Sequence, residues 1–157
     1  MAKKGKKTVA APRPGRGQLI VLVIMAVIAL GGLADATFLT VAHLAGDDSV
    51  CGTSAGCSQV LGSAYAGIGG IPTAAFGVFA YFVAFSCAVC AAFGYRWARL
   101  ALNFTIAAMF LGTLWFLYLQ AFVLHAFCPF CLLSAALTFL LSGLALATTS
   151  ARQAAIC

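Results

Sequence analysis

QLIVLVIMAVIALGGLADATFLTVAHLA, running from Gln18 to Ala45, contains one acidic residue and no lysine or arginine. A helix rises 1.5 Å per residue, so about 20 apolar residues cross a hydrocarbon core ~30 Å thick. This run is longer, so it is expected to tilt or project beyond the hydrocarbon. Three more apolar runs follow, at Pro72–Phe93, Ala98–Phe127 and Cys131–Thr149. Across the 157 residues, 64% are hydrophobic and only 8% charged. A soluble domain carries about 25% charged residues, so lipid must cover most of this surface. The expected fold is all-α, a polytopic membrane four-helix bundle over residues 18–149 with an outer loop at 46–71.

Flanking that bundle, residues 1–17 are basic and rich in Pro and Gly, and read as a disordered tail. Residues 150–157 form a short second tail. The net charge of +6 suggests a nucleic-acid partner at first sight, but its distribution argues against one. Lys3, Lys4, Lys6, Lys7, Arg13 and Arg16 lie in the first tail, Arg96 and Arg99 beside the 94–97 turn, and Arg152 in the last tail. The 46–71 loop and the 124–130 connection have no basic residue, and the loop carries Asp47 and Asp48. By the positive-inside rule both termini are expected to be cytoplasmic, with those two segments on the outer side.

That topology sorts the cysteines. Cys51 and Cys57 fall in the outer loop, within CGTSAGC, and Cys128 and Cys131 open the fourth helix on the same side. Disulfides persist on that side of a cytoplasmic membrane. Cys87 and Cys90 form a second CxxC, but deep in the second helix, where small buried thiols are inert packing. Cys157 belongs to the reducing side. The two CxxC pairs sit on opposite sides and cannot share an ion, so no metal site is expected. A tetrahedral site built from Cys51, Cys57, Cys128 and Cys131 is the competing reading.

Cys128-Pro129-Phe130-Cys131 carries the chemistry. Cys128 precedes a helix whose first position holds Pro129, and the unpaired N–H groups and dipole of that terminus favour a thiolate. His125, three residues earlier, either adds positive charge or is an interfacial residue without a chemical role. An enzyme that passes electrons from a soluble dithiol to a carrier in lipid gains from two pairs. A flexible loop pair meets the soluble partner, and a pair at the bilayer edge meets the carrier. The five residues between Cys51 and Cys57 include two glycines and a serine, which gives such a loop and lets it close a disulfide. The non-enzymatic reading is a small membrane scaffold or transporter subunit with structural disulfides.

GLADATFLTVAHLAG (Gly32–Gly46), CSQVLGSAYAGIGGIPTAAFGVFAY (Cys57–Tyr81) and YLQAFVLHAFCPFCLLSA (Tyr118–Ala135) together resemble the bacterial vitamin K epoxide reductase family over roughly residues 25–145. The resemblance implies a four-helix bundle around a quinone, menaquinone or ubiquinone, in a bacterial inner membrane. It implies that a thioredoxin-fold (DsbA-like) protein reduces the pair Cys51 and Cys57, that Cys57 attacks Cys128, and that Cys131 faces the quinone. Animal members carry an Asn near the start of helix two, where this chain reads Pro72-Thr73-Ala74, so plain quinone reduction is expected rather than epoxide reduction. Some bacterial members carry a fused thioredoxin-like domain; here the partner is expected to be a separate protein. A different four-helix quinone-linked oxidase family places its CxxC in the first outer loop, the reverse of the order here.

Five further residues are candidates. Asp35 is an acid inside a spanning helix, a functional hypothesis by default: it either relays protons for quinone reduction or caps a neighbouring polar group. His43 lies two turns further along a similar face and is the second candidate for that proton relay. Gln120 either donates to a quinone carbonyl or bonds between helices. Phe76 and Phe127 are the aromatic candidates for a quinone wall, because they lie near the helix ends expected to surround Cys131.

Overall fold

The computed structural model describes residues 15–46, 51, 55–63, 65–68 and 71–154. Asp47, Asp48, Cys157 and all but residues 15–17 of the expected N-terminal tail lie outside them. Among the described residues the regular elements are helices and one small hairpin. Its elements are α1 (Arg16–Ala45), α2 (Ala55–Leu61), β1 (Gly67–Ile68), β2 (Ile71–Pro72), α3 (Thr73–Ala92), α4 (Arg96–Tyr118) with a π-helical turn (Leu119–Val123), and α5 (Pro129–Ala154). α1, α3, α4 with its π turn, and α5 are each long and apolar enough to cross a membrane. The protein is a multi-pass membrane bundle.

The helices form a ring: α1 packs on α3, α3 on α4, α4 on α5, and α5 back on α1. On α1 the buried side is Leu22, Met25, Ala29, Gly32, Ala36, Leu39 and Ala42, a stripe in steps of three or four. It meets Tyr81, Ala84, Ala88 and Ala91 of α3. Small residues let the backbones approach, which is how helices associate where lipid supplies no hydrophobic drive. Gly32 is the tightest case: a Cβ there would overlap the Tyr81 ring. Large apolar side chains such as Phe79, Phe82, Phe104 and Leu146 point outward, as a lipid-facing surface requires.

Where the helices end decides where the site forms. α1 stops at Gly46, whose positive φ of 63° lets its N–H reach the Ala42 and His43 carbonyls. Pro72 was expected to open the second spanning helix, but it caps α3 from outside. The β1–β2 ladder pairs Gly67 with Pro72, and Thr73 bonds the Ala66 carbonyl with both its N–H (2.8 Å) and its hydroxyl (3.0 Å). The third run was expected to stay helical to Phe127 but widens after Tyr118. Leu124 N–H bonds the Leu119 carbonyl (2.8 Å), Ala126 N–H bonds the Gln120 carbonyl (3.1 Å), and His125 adopts a left-handed φ of 49°. The chain leaves the helix there with those backbone donors satisfied, as a bilayer edge demands. The fourth helix starts two residues earlier than the apolar run, at Pro129, and continues to Ala154.

Candidate functional site

Four cysteines meet at one end of the bundle. Cys51 and Cys57 are joined in a disulfide with Cα atoms 5.4 Å apart. Both are buried and cluster with the fully buried Cys128, and Val60, Leu61, Phe130 and Cys131 pack around them. The expected flexible loop is therefore partly wrong. AGCSQVL forms α2, which turns Cys57, Val60 and Leu61 toward one side at helical spacing. A helix of this length is marginal alone and forms here because it docks.

The docking surface is the irregular segment before Pro129. Gly56 has no side chain, and a Cβ at that position would sit 2.5 Å from the Phe127 carbonyl oxygen and 3.1 Å from the Phe127 nitrogen. Beside it, the Gln59 side-chain amide donates to the Leu124 carbonyl (3.3 Å). Gln120 secures the same segment from the other side. Its buried side-chain oxygen accepts the Cys128 N–H at 3.1 Å, which ties the end of the third spanning helix to the start of the fourth.

Cys128 caps α5, and its carbonyl accepts the Leu132 N–H (3.0 Å). Its thiol is held down to about 7, from an ordinary 9.0, chiefly by a hydrogen bond from the Cys131 thiol. Burial opposes that shift, and the backbone N–H groups of Cys131 and Phe130 reinforce it. The thiolate therefore accumulates as pH rises through about 7 and is lost below it. We expect thiolate absorbance in the chain with a reduced CxxC pair to titrate near that value. In Cys131→Ala the midpoint should move up by more than about one unit, because the principal donor is gone. A midpoint unchanged by the substitution would contradict this assignment.

Cys131 belongs to two environments. It packs on the cysteine cluster and also lines an apolar cavity of about 290 Å³ enclosed by α1, α3, α4 and α5. Leu39, Phe76, Met109 and Phe116 supply apolar wall, and Asp35, His43, Thr73, Gln120 and Ser134 supply polar points. Tyr81 adds a hydroxyl 2.9 Å from the Ser134 carbonyl and 3.0 Å from the hydroxyls of Ser134 and Thr138. An apolar chamber of this volume with a few convergent polar groups fits a small planar ring such as a quinone head.

Of the candidate residues, Phe76, Gln120, Asp35 and His43 all line this cavity. Phe127 does not: it is exposed, and its backbone serves as the platform for Gly56. The chain leaves the helix after Val123, so Phe127 sits in the irregular segment before α5. Cys87 and Cys90 are free thiols of α3, one half-buried against the bundle core and the other exposed. Tyr81, Ser134 and Thr138 were missed by sequence reasoning. Their hydroxyls on neighbouring helices carry no spacing signal that would single them out.

The family model described as Vitamin K epoxide reductase family matches residues 23–146, most of the chain. No curated protein matches it.

Proposed function

Because the chain belongs to the vitamin K epoxide reductase family, whose members are generally quinone-linked oxidoreductases, we propose that it oxidises a thioredoxin-fold carrier protein and passes the electrons to quinone. The observation that carries this reading is the double placement of Cys131, which packs against the other three cysteines and lines the apolar cavity. Electrons enter when the carrier's dithiol reduces the Cys51–Cys57 disulfide. The Cys57 thiolate then attacks the Cys128 sulfur of an oxidised CxxC pair, and Cys131 leaves as thiolate. Cys51 attacks Cys57 next, releasing Cys128, whose lowered pKa makes it a good leaving group. The loop disulfide is restored and the CxxC pair is left reduced, which is the combination of thiols and disulfide found here.

A bound quinone accepts two electrons and two protons. Cys131 is the thiol that reaches its chamber, with Phe76 as apolar wall and Gln120 fixing the CxxC backbone. The distribution of basic residues supports an orientation with both termini cytoplasmic and the cysteine cluster on the outer side. Disulfide formation in exported proteins is the output.

Purified protein in detergent, given a reduced thioredoxin-fold donor and a soluble quinone, is expected to produce quinol with a matching loss of donor thiols. Thiol loss without quinol, or neither, would refute the proposal.

A further inference from the structure

Asp35 is the one acid of the α1 run, and it lines the cavity that Cys131 lines. Its Oδ2 is buried and has no hydrogen-bond partner among the described residues. So Oδ2 has no partner of the kind a capping role would require. The electrostatics around Asp35 do not supply one either. Of the titratable groups lining the chamber, Tyr81 and Tyr65 come from α3 and the outer connection, Cys131 from α5 and His43 from α1, while α4 contributes none. No lysine or arginine is among the lining residues. Phe38, one turn along α1, stacks at a tilt on Phe130, the neighbour of Cys131, with ring centroids 5.6 Å apart.

Resting on the proposed reading, we infer that Asp35 is a catalytic general acid that gives a proton to a quinone oxygen as Cys128 and Cys131 close their disulfide. The balance of the step calls for such a donor. With Cys128 as thiolate and Cys131 as thiol, the pair holds two electrons to give but only one proton. As the S–S bond forms, two electrons pass to the quinone. The Cys131 thiol proton goes to one oxygen and the Asp35 carboxyl proton to the other, leaving a quinol, a disulfide and an Asp35 carboxylate. Charge is conserved, because one thiolate is replaced by one carboxylate. Asp35 must regain its proton before the next turnover by way of the cavity, whose wall also includes His43 two turns along α1.

The test uses the full-length chain with its CxxC pair reduced, and a soluble quinone, in a single turnover. Asp35→Asn should slow disulfide closure by about 10²-fold, the scale of general-acid catalysis, and Asp35→Glu should restore most of it. Quinone affinity by equilibrium dialysis and transfer from Cys51/Cys57 should each stay within about twofold, since neither uses this proton. The wild-type rate should fall as pH rises past the point where Asp35 ionises, and the Asn variant should lose that limb. Infrared difference spectra of the wild type should show a carboxyl C=O band lost on disulfide closure. If the Asn variant fails to fold, this band alone decides, and its absence overturns the inference. An Asn variant within about threefold of wild type overturns it, and so does one whose rate and affinity fall together. A wild type whose thiols are not oxidised by quinone overturns this inference and the proposed function together. A wild type that turns over, with an Asn variant equal to it, overturns this inference alone.

Discussion

Cys131→Ala is expected to abolish quinol formation, by at least ~10³-fold, while leaving the reaction of Cys51–Cys57 with a reduced carrier intact. Loss of the group that attacks or leaves typically removes most of an enzyme's rate. Here it also removes the only cysteine among the described residues that lines the cavity, since Cys128 is fully buried in the cluster and outside that lining. The two halves of the relay therefore separate in this variant. Stopped-flow reduction of the loop disulfide should proceed and then stall after one equivalent. If the protein were a scaffold with structural disulfides, the substitution would change neither measurement. Continued turnover in Cys131→Ala would show that electrons leave by another route.

The second large effect is expected at a residue with no chemistry. Gly56→Ala should slow transfer from the loop pair to the CxxC pair by about 10²-fold, the cost of a misplacement near 1 Å in a reaction that depends on alignment. The added methyl would lie 2.5 Å from a backbone carbonyl oxygen, and backbone cannot swing aside as a flexible side chain can. α2 must lift from Phe127, and Cys57 lifts with it. Oxidation by quinone of a CxxC pair reduced directly by a small dithiol should be unaffected, because Cys131 and its cavity do not involve that contact. Rapid-quench thiol labelling measures both steps. Equal loss in the two would mean that the alanine disrupts the bundle rather than the docking.

Much of this architecture was legible in the chain, and the reasons differ by element. The four apolar runs announce themselves because the bilayer fixes their length and excludes charge. Pro129 marked the start of α5 correctly, as an N–H-less residue suits a helix's first position. The CxxC pair and its helix-terminal setting were readable for the same reason, since they are local. The docked α2 was not readable. Seven residues that include Gly56 and are followed by Gly62 look like a flexible loop, and only burial of Cys57, Val60 and Leu61 against Cys128 stabilises them as a helix. The π turn was hidden too, because LQAFV is apolar and periodic enough to continue α4. Gln120 decides otherwise through a bond to the Cys128 N–H that closes eight residues later. The Tyr81–Ser134–Thr138 hydroxyl group exists only once α3 meets α5.

Burial also changes how the loop pair works. With Cys51 and Cys57 both nearly inaccessible in the disulfide, a carrier must lift α2 or its neighbourhood to reach them. Under the proposed relay, exchange with Cys128 would use the closed arrangement and exchange with a carrier an opened one. A thiolate at Cys128 populated near pH 7 suits the closed step, because it departs readily once Cys51 regains Cys57.

The relay's direction is tested most directly by Cys51→Ala, which removes the thiol that would resolve the intermediate. After reduction of the variant and exposure to quinone, peptide mapping by mass spectrometry under acid quench should find Cys57 joined to Cys128, with Cys131 free. A Cys57–Cys131 bridge, or no bridge between the two pairs, would contradict it.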